Sequence, residues 1–387
     1  MTQPADMIEI RLERPLYGGY CLGRHQGKAV MVPYAIPGET VAASITEDRK
    51  DFCFASITAI MEADPRRSRP DCPHFTRCGG CSYLHVPYEE ELEFKKTILE
   101  DSLARIAGFS RGDVPKISVI QGDRHGYRSH ATIKVRGGLP GFYRKGSNDF
   151  VQVGEGGCLL LAEPLNQWMR NNVSIPGDCR IALDASSNVI SSFHADAIVV
   201  DNAGGLEYAR GISSFFQANR LLRNRMLETV IQYAGLGGNG TFLDIGCGVG
   251  FFSLALAGYA VSGTGIDISG ENIRWARHNA ALNGIENVMF MAMPSNRIHP
   301  VRQRADVVVA DPPRAGLDKK TRKTILALGS PVLVYVSCNP ATFSRDARDI
   351  VNGGYALEQL TMIDMFPGTH HIELISRFSR GQVSPSA

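Results

Sequence analysis

Thr241-Phe242-Leu243-Asp244-Ile245-Gly246-Cys247-Gly248-Val249-Gly250 runs from an apolar strand pattern into three alternating glycines, and a helical pattern, Phe252 to Ala257, follows at once. Glycine lacks a Cβ, so such a run can turn sharply from strand to helix and bring backbone close to a ligand. Asp244 stands just before the glycines. A second acid, Asp267, closes the next strand pattern, Val261 to Asp267, roughly 20 residues on, where an acid would meet a ribose diol. No Lys-Ser/Thr pair follows the glycines, which excludes a phosphate-binding P-loop. A Gly-rich turn alone fits many nucleotide cofactors, or mere helix packing. The two acids together favour a ligand.

Outward from this stretch, helix and strand patterns alternate. Leu221 to Tyr233 reads as a helix, Gly270 to Leu282 as a helix ended by Gly284, and Ala305 to Ala310 and Val332 to Ser337 as buried strands. This order predicts a parallel sheet covered by helices, with ligands at the carboxyl ends of its strands. The Asp-x-Gly-x-Gly-x-Gly pattern resembles the first motif of class I SAM-dependent methyltransferases. That resemblance implies an α/β, Rossmann-like catalytic domain over residues 211–387 and S-adenosyl-L-methionine as cofactor. Asp244, Gly246, Gly248, Gly250 and Asp267 are the candidate cofactor contacts.

Two further strand ends carry chemistry. The first is Asp311-Pro312-Pro313-Arg314, a loop stiffened by its prolines. Enzymes that methylate amino groups carry an aromatic residue in place of Arg314; Asp311 can still hydrogen-bond a base edge. The second is Ser337-Cys338-Asn339-Pro340, which puts a cysteine beside the expected cofactor cleft, where a nucleophile belongs. Carbon 5 of uracil is too weak a nucleophile to take a sulfonium methyl unaided. A thiolate adding to carbon 6 creates the needed electron density, and a base must later remove the carbon 5 proton. Glu373, in His370-His371-Ile372-Glu373 near the end of the last strand pattern, is the candidate base. Alone, Glu373 reads as structural or solvated and Cys338 as a small core residue. Their combination points to catalysis.

The N-terminal half differs. Short alternating runs such as Ile8 to Leu12 and Thr40 to Ile45, separated by glycine turns, predict a small closed barrel over residues 1–63. Asp64 to Pro70 reads as a linker. Residues 64–210 read as a β-rich central domain, with a helix over 88–108 that can pack on the catalytic domain. Cys72, Cys78 and Cys81 have metal-like spacing that suits zinc or an iron–sulfur cluster without deciding between them. Cys21, Cys53, Cys179 and Cys247 read as ordinary small residues.

The formal net charge of +2 gives no argument for a nucleic-acid partner, which would need a local basic face. Arg220, Arg223 and Arg225, and Lys319, Lys320, Arg322 and Lys323, are the candidates; each also reads as a solvated helix face. No apolar run reaches the ~20 residues of a membrane span, and Met1 to Ile10 does not read as a signal peptide. The expectation is a cytoplasmic protein with no membrane partner.

With all these motifs in place, the chain resembles the RNA uracil-5 methyltransferases, over nearly its whole length. The resemblance implies that the barrel is a TRAM domain, an RNA-binding module. It implies a [4Fe-4S] cluster held by Cys72, Cys78, Cys81 and Cys158. Phe215-Phe216-Gln217-Ala218-Asn219 matches the family's Phe-x-Gln-x-Asn segment, whose Gln contacts SAM. By the same resemblance Cys338 is the nucleophile and Glu373 the proton acceptor. Gln217, Asp267 and Asp311 then line the cofactor and base pocket, with Phe215, Asp311 and Arg314 toward the substrate. The barrel and the cluster cysteines together favour 23S ribosomal RNA as partner over transfer RNA, with the enzyme a monomer. Cytosine-5 methylation is disfavoured because a second cysteine is missing at Pro313-Arg314. An RNA-binding protein with a decayed site is disfavoured because the motifs are intact.

Overall fold

The computed structural model describes residues 7–381, apart from 111, 155, 173, 194–195 and 300–302. Five strands form the barrel: β1 (Met7–Leu16), β2 (Tyr20–His25), β3 (Lys28–Pro33), β4 (Thr40–Asp48) and β5 (Phe52–Glu62). They close in the order β1-β2-β3-β5-β4, with β4 pairing back onto β1. Alternation along β1 buries Ile8, Ile10 and Leu12 against Val30, Val32 and Val41, as a two-residue side-chain period requires. The linker over 64–70 is anchored by its arginines. Arg66 bonds Asp64 and Glu90, and Arg67 pairs with the fully buried Glu39.

Next come α1 (Tyr88–Ser102) and β6 (Ile117–Ile120). Beyond them, β7 (His130–Arg136), β8 (Leu139–Tyr143), β9 (Phe150–Gln152), α2 (Glu163–Asn171), β10 (Cys179–Leu183) and β11 (Val189–Ser191) follow. Their strands make an antiparallel sheet in the order β11-β10-β7-β8-β9. A separate hairpin joins β12 (Ile198–Ala203) to β13 (Leu206–Gly211).

The C-terminal half contains α3 (Arg223–Ala234), β14 (Gly240–Ile245), α4 (Phe251–Ala257), β15 (Ala260–Asp267), α5 (Gly270–Leu282) and β16 (Val288–Ala292). It continues with β17 (Val307–Ala310), α6 (Lys319–Leu328), β18 (Val332–Ser337), α7 (Pro340–Asn352), β19 (Tyr355–Ile363) and β20 (Glu373–Arg380). The eight-stranded sheet runs β16-β15-β14-β17-β18-β20-β19-β6. The chain reverses its direction across the sheet between β14 and β17, which is where a doubly wound fold opens a ligand crevice. Its central strands are apolar throughout, as strands covered on both faces must be. All of β17 and Leu333 to Val336 of β18 are buried.

Residues 88–120 pack with this sheet. Leu92, Ile98, Leu99 and Leu103 join Phe343, Ala347 and Ile350 of α7 in one apolar cluster, and β6 runs parallel to β19 at the sheet edge. Lys95 is buried among Glu91, Asp364 and the Phe366 carbonyl, so α1 also grips the segment leading to Glu373.

Candidate active site

Strand direction gathers the site. Asp244 lies near the carboxyl end of β14, Asp267 closes β15, and Asp311 and Cys338 directly follow β17 and β18. Glu373 opens β20 rather than ending it. Because β20 runs antiparallel, with Leu374 opposite Ser337, its first residue falls at the same edge as Cys338. A separation of 35 in sequence thus becomes near adjacency across one strand pair.

Gly246 has φ +84°, and a Cβ there would stand 2.8 Å from the Asp311 carbonyl oxygen. Only glycine lets the two loops pass so closely. Asp244 accepts a hydrogen bond from Ser253 Oγ at 2.6 Å through Oδ2, while its Oδ1 is buried without a partner. Burial pushes its carboxyl up to about 7. An orphaned acceptor in a glycine turn is a place for a ligand's donor. Asp267 accepts from the Gly248 N–H at 3.0 Å and the Ser269 N–H at 2.8 Å. It therefore also clamps the glycine turn to the start of α5, a duty its sequence position did not disclose.

Cys338 is half-buried. Burial first, then the nearby Glu373 and Asp311 carboxyls, push its thiol up to about 12, and Arg314 acts the other way. Its position just ahead of α7 places it near a helix N-terminus, which favours a thiolate. Burial and then Asp311 hold Glu373 well above the usual carboxylate range, again opposed by Arg314. Burial and Asp244 bring Asp311 up to about 7. The thiol, both acids and the guanidinium therefore share one field.

Arg314 is exposed, with Nη2 at 3.5 Å from His371 Nδ1. Its carbonyl accepts from Thr342 Oγ1 and Asn339 Nδ2, which ties the Asp311 loop to the Cys338 loop. Burial lowers His370 to about 4 and His371 to about 3, so both are neutral at physiological pH.

Gln217 is buried, and its backbone carbonyl accepts from Arg223 Nε at 2.7 Å. Asp201 in turn pairs with both Arg223 and Arg210 in the interior. Sequence periodicity missed this buried triad. Phe216 packs inside beside Tyr208 and Phe251, whereas Phe215 is 69% exposed. Phe215 is thus free to meet substrate but does not wall the pocket. Tyr17, from the turn after β1, was also missed; its hydroxyl donates to the Cys338 carbonyl at 3.1 Å.

Known proteins match this architecture. Residues 193–378 fit the family model described as tRNA (Uracil-5-)-methyltransferase, and residues 4–58 fit the TRAM domain. A relative from Aquifex aeolicus, named an uncharacterized RNA methyltransferase, is 31% identical over 421 aligned residues, covering 95% of this chain and 97% of its own. The chain belongs to the RNA uracil-5 methyltransferase family. A similarly named protein of Halalkalibacterium halodurans is 29% identical, with 96% of each chain covered. The solved Pyrococcus abyssi tRNA (uracil-54, C5)-methyltransferase, in complex with S-adenosyl-L-homocysteine, shares the fold at a TM-score of 0.74. It has 22% identity and covers 95% of this chain and 100% of its own.

In this RNA methyltransferase, Cys72, Cys78, Cys81 and Cys158 line one cavity of about 310 Å³, together with Leu84, Leu160 and Leu161. All four are free thiols. Among the described residues, no three His, Cys, Asp or Glu side chains are gathered as around a single metal ion. In a four-iron cube each cysteine holds a different iron, so the sulfurs stand farther apart than four ligands of one ion. Four thiols lining one cavity are the donor set that such a cube takes.

One expected basic face is not a face. Arg223 is buried against Asp201, leaving Arg220 and Arg225 exposed. The second is thinned, because Arg322 turns inward to Asp346 and Asp349 while Lys319, Lys320 and Lys323 stay exposed. Among the described residues no helix is long and apolar enough to cross a membrane.

Proposed function

We propose that the enzyme methylates carbon 5 of a uridine in 23S ribosomal RNA through a covalent Cys338–uracil adduct. The carrying observation is that β18 and the antiparallel β20 bring Cys338 and Glu373 to one edge of the sheet, beside Asp311 and Arg314. S-adenosyl-L-methionine supplies an electrophilic methyl group. Asp267, Gln217 and the Gly246–Gly250 turn hold it, and the free Asp244 Oδ1 is available to a donor. Cys338 loses its proton to solvent, and its thiolate Sγ adds to carbon 6 of the uracil. The displaced electron pair makes carbon 5 nucleophilic; carbon 5 would take the methyl as its bond to the sulfonium sulfur breaks, releasing S-adenosyl-L-homocysteine. Glu373, as carboxylate, removes the carbon 5 proton. The 5,6 double bond reforms and Cys338 Sγ leaves. Asp311 fixes the base edge, and Arg314 and Phe215 meet the RNA.

In the same reading, Cys72, Cys78, Cys81 and Cys158 hold a [4Fe-4S] cluster that braces the central domain, since methyl transfer moves no net electrons. The chain divides into a barrel (1–63), a central domain (64–210) whose residues 88–120 join the catalytic sheet, and a catalytic domain (211–387), and it works as a cytoplasmic monomer. Transfer RNA is the second reading, favoured by the likeness to the Pyrococcus abyssi enzyme.

Trapping with RNA carrying 5-fluorouridine tests the chemistry. Fluorine cannot leave as a proton, so a protein–RNA adduct accumulates, and Cys338→Ala should abolish it. An undiminished adduct in that variant refutes the nucleophile. Mapping 5-methyluridine in ribosomal and transfer RNA from a deletion strain decides the target.

A further inference from the structure

We propose that Tyr17, on the first turn of the barrel, is a positioning residue for the nucleophile: its hydroxyl holds the Cys338 carbonyl and so sets where Sγ stands. This rests on the covalent reading above. Tyr17 lies 321 residues before Cys338 and donates to its carbonyl at 3.1 Å. Burial pushes the tyrosine hydroxyl up to about 12, so it remains a donor across the working pH range. Cys338 sits between the end of β18 and the Asn339 cap of α7. Strand and helix are locked by their own hydrogen bonds. The Cys338 peptide is the link between them, and Tyr17 holds its carbonyl.

The turn that carries Tyr17 is itself held. Lys145 Nζ donates to the Gly18 carbonyl at 2.6 Å and lies 4.3 Å from the Tyr20 ring centre. Gly19 has φ +76°, and a Cβ there would stand 2.6 Å from Ser82 Oγ, so the turn passes the central domain on bare backbone. Tyr17 also leans edge-on against His370 at 6.0 Å. His370 meets Ser82 Oγ at 3.3 Å and His371 at 4.3 Å between rings, and His371 reaches Arg314. The barrel thus reaches both the Cys338 peptide and the His370–His371 pair beside Arg314.

Tyr17→Phe keeps the ring and its packing and removes only the donor. Small misplacements of a reacting group lower rates steeply. At saturating RNA, the rate of 5-fluorouridine adduct formation and kcat should both fall about tenfold. KM for RNA, Kd for S-adenosyl-L-methionine and Tm should be unchanged. Lys145→Met, which frees the Gly18 carbonyl, should lower the adduct rate in the same direction by a smaller factor. A wild-type adduct rate in Tyr17→Phe overturns the proposal. So does a raised KM at unchanged kcat, which would make Tyr17 an RNA contact only. Absence of any adduct with the unaltered enzyme overturns both this proposal and the covalent reading.

Discussion

Cys338 and Cys81 are both pushed up chiefly by burial, yet their neighbourhoods differ in kind. Around Cys338 the opposing groups are Glu373 and Asp311, with Arg314 on the favourable side and the start of α7 just beyond. Carboxyls can take up protons, and a guanidinium can approach, so a thiolate is reachable for the duration of a reaction. Around Cys81 the opposing groups are first Cys158, Cys78 and Cys72. Four thiols facing one leucine-lined cavity can ionise together only around a shared cation. Under the proposed function the same side chain serves transient chemistry in one place and permanent ligation in the other.

The largest expected effect separates the two directly. Cys338→Ala should lower methylation by about 10⁴-fold or more, on the scale of removing a covalent nucleophile, with Tm and iron content unchanged. Cys81→Ser should do the reverse: the anaerobically purified protein loses its brown colour, iron and sulfide, and its Tm falls. Cys247→Ser, in the glycine turn, keeps the colour. Iron-free protein with one tightly held zinc would overturn the ligation half of the contrast.

Next in size, Glu373→Gln should slow turnover by about 10²- to 10⁴-fold, as loss of a general base does. Attack and methylation persist, so a denaturant-resistant complex with ordinary RNA should build up when S-adenosyl-L-methionine is present. Wild-type turnover would assign the proton to another base. Asp267→Ala comes third. Loss of a charged acceptor costs about 1.5–3 kcal/mol of cofactor binding. The variant should also lower Tm, because the Gly248 and Ser269 N–H groups lose their partner. Calorimetry showing unchanged cofactor affinity would place the ribose contact elsewhere.

The smallest effect is a pH slope. The Asp244 carboxyl rises from 3.8 to about 7 on folding, so between those values the folded chain keeps a proton that the unfolded chain has lost. Its contribution is most favourable below about pH 4 and is lost as pH rises to about 7, with a slope of at most about 1.4 kcal/mol per pH unit. Asp244→Asn should flatten that part of the ΔG-versus-pH curve in denaturant titrations. An unaltered slope would mean that Asp244 ionises freely in the fold.

The catalytic strands were readable because each signal is local. Val332 to Ser337 is apolar and bounded, and the structure starts and ends β18 there. Gly270 to Leu282 was found to the residue, because Ser269 caps it and an apolar stripe runs through it. Arg223 was misread because a charged residue on a helix pattern looks solvated until its partner is known. Asp201, 22 residues away on another element, is that partner. The anchoring of the linker at 64–70 was illegible for the same reason, since Glu39, the partner of Arg67, lies 28 residues earlier in the chain.

By itself, the sequence determined the alternation of strand and helix, the glycine turn and the chemical inventory at the strand ends, since these depend on side-chain period and backbone freedom within a few residues. Only the tertiary structure decided that β20 enters antiparallel between β18 and β19, and so that Glu373 begins its strand beside Cys338 instead of ending it at the far edge. Only the packing of barrel against sheet brought Tyr17 to the Cys338 carbonyl. Strand order and domain contacts are set by which buried surfaces and polar groups satisfy one another across hundreds of residues, and no local pattern carries that information.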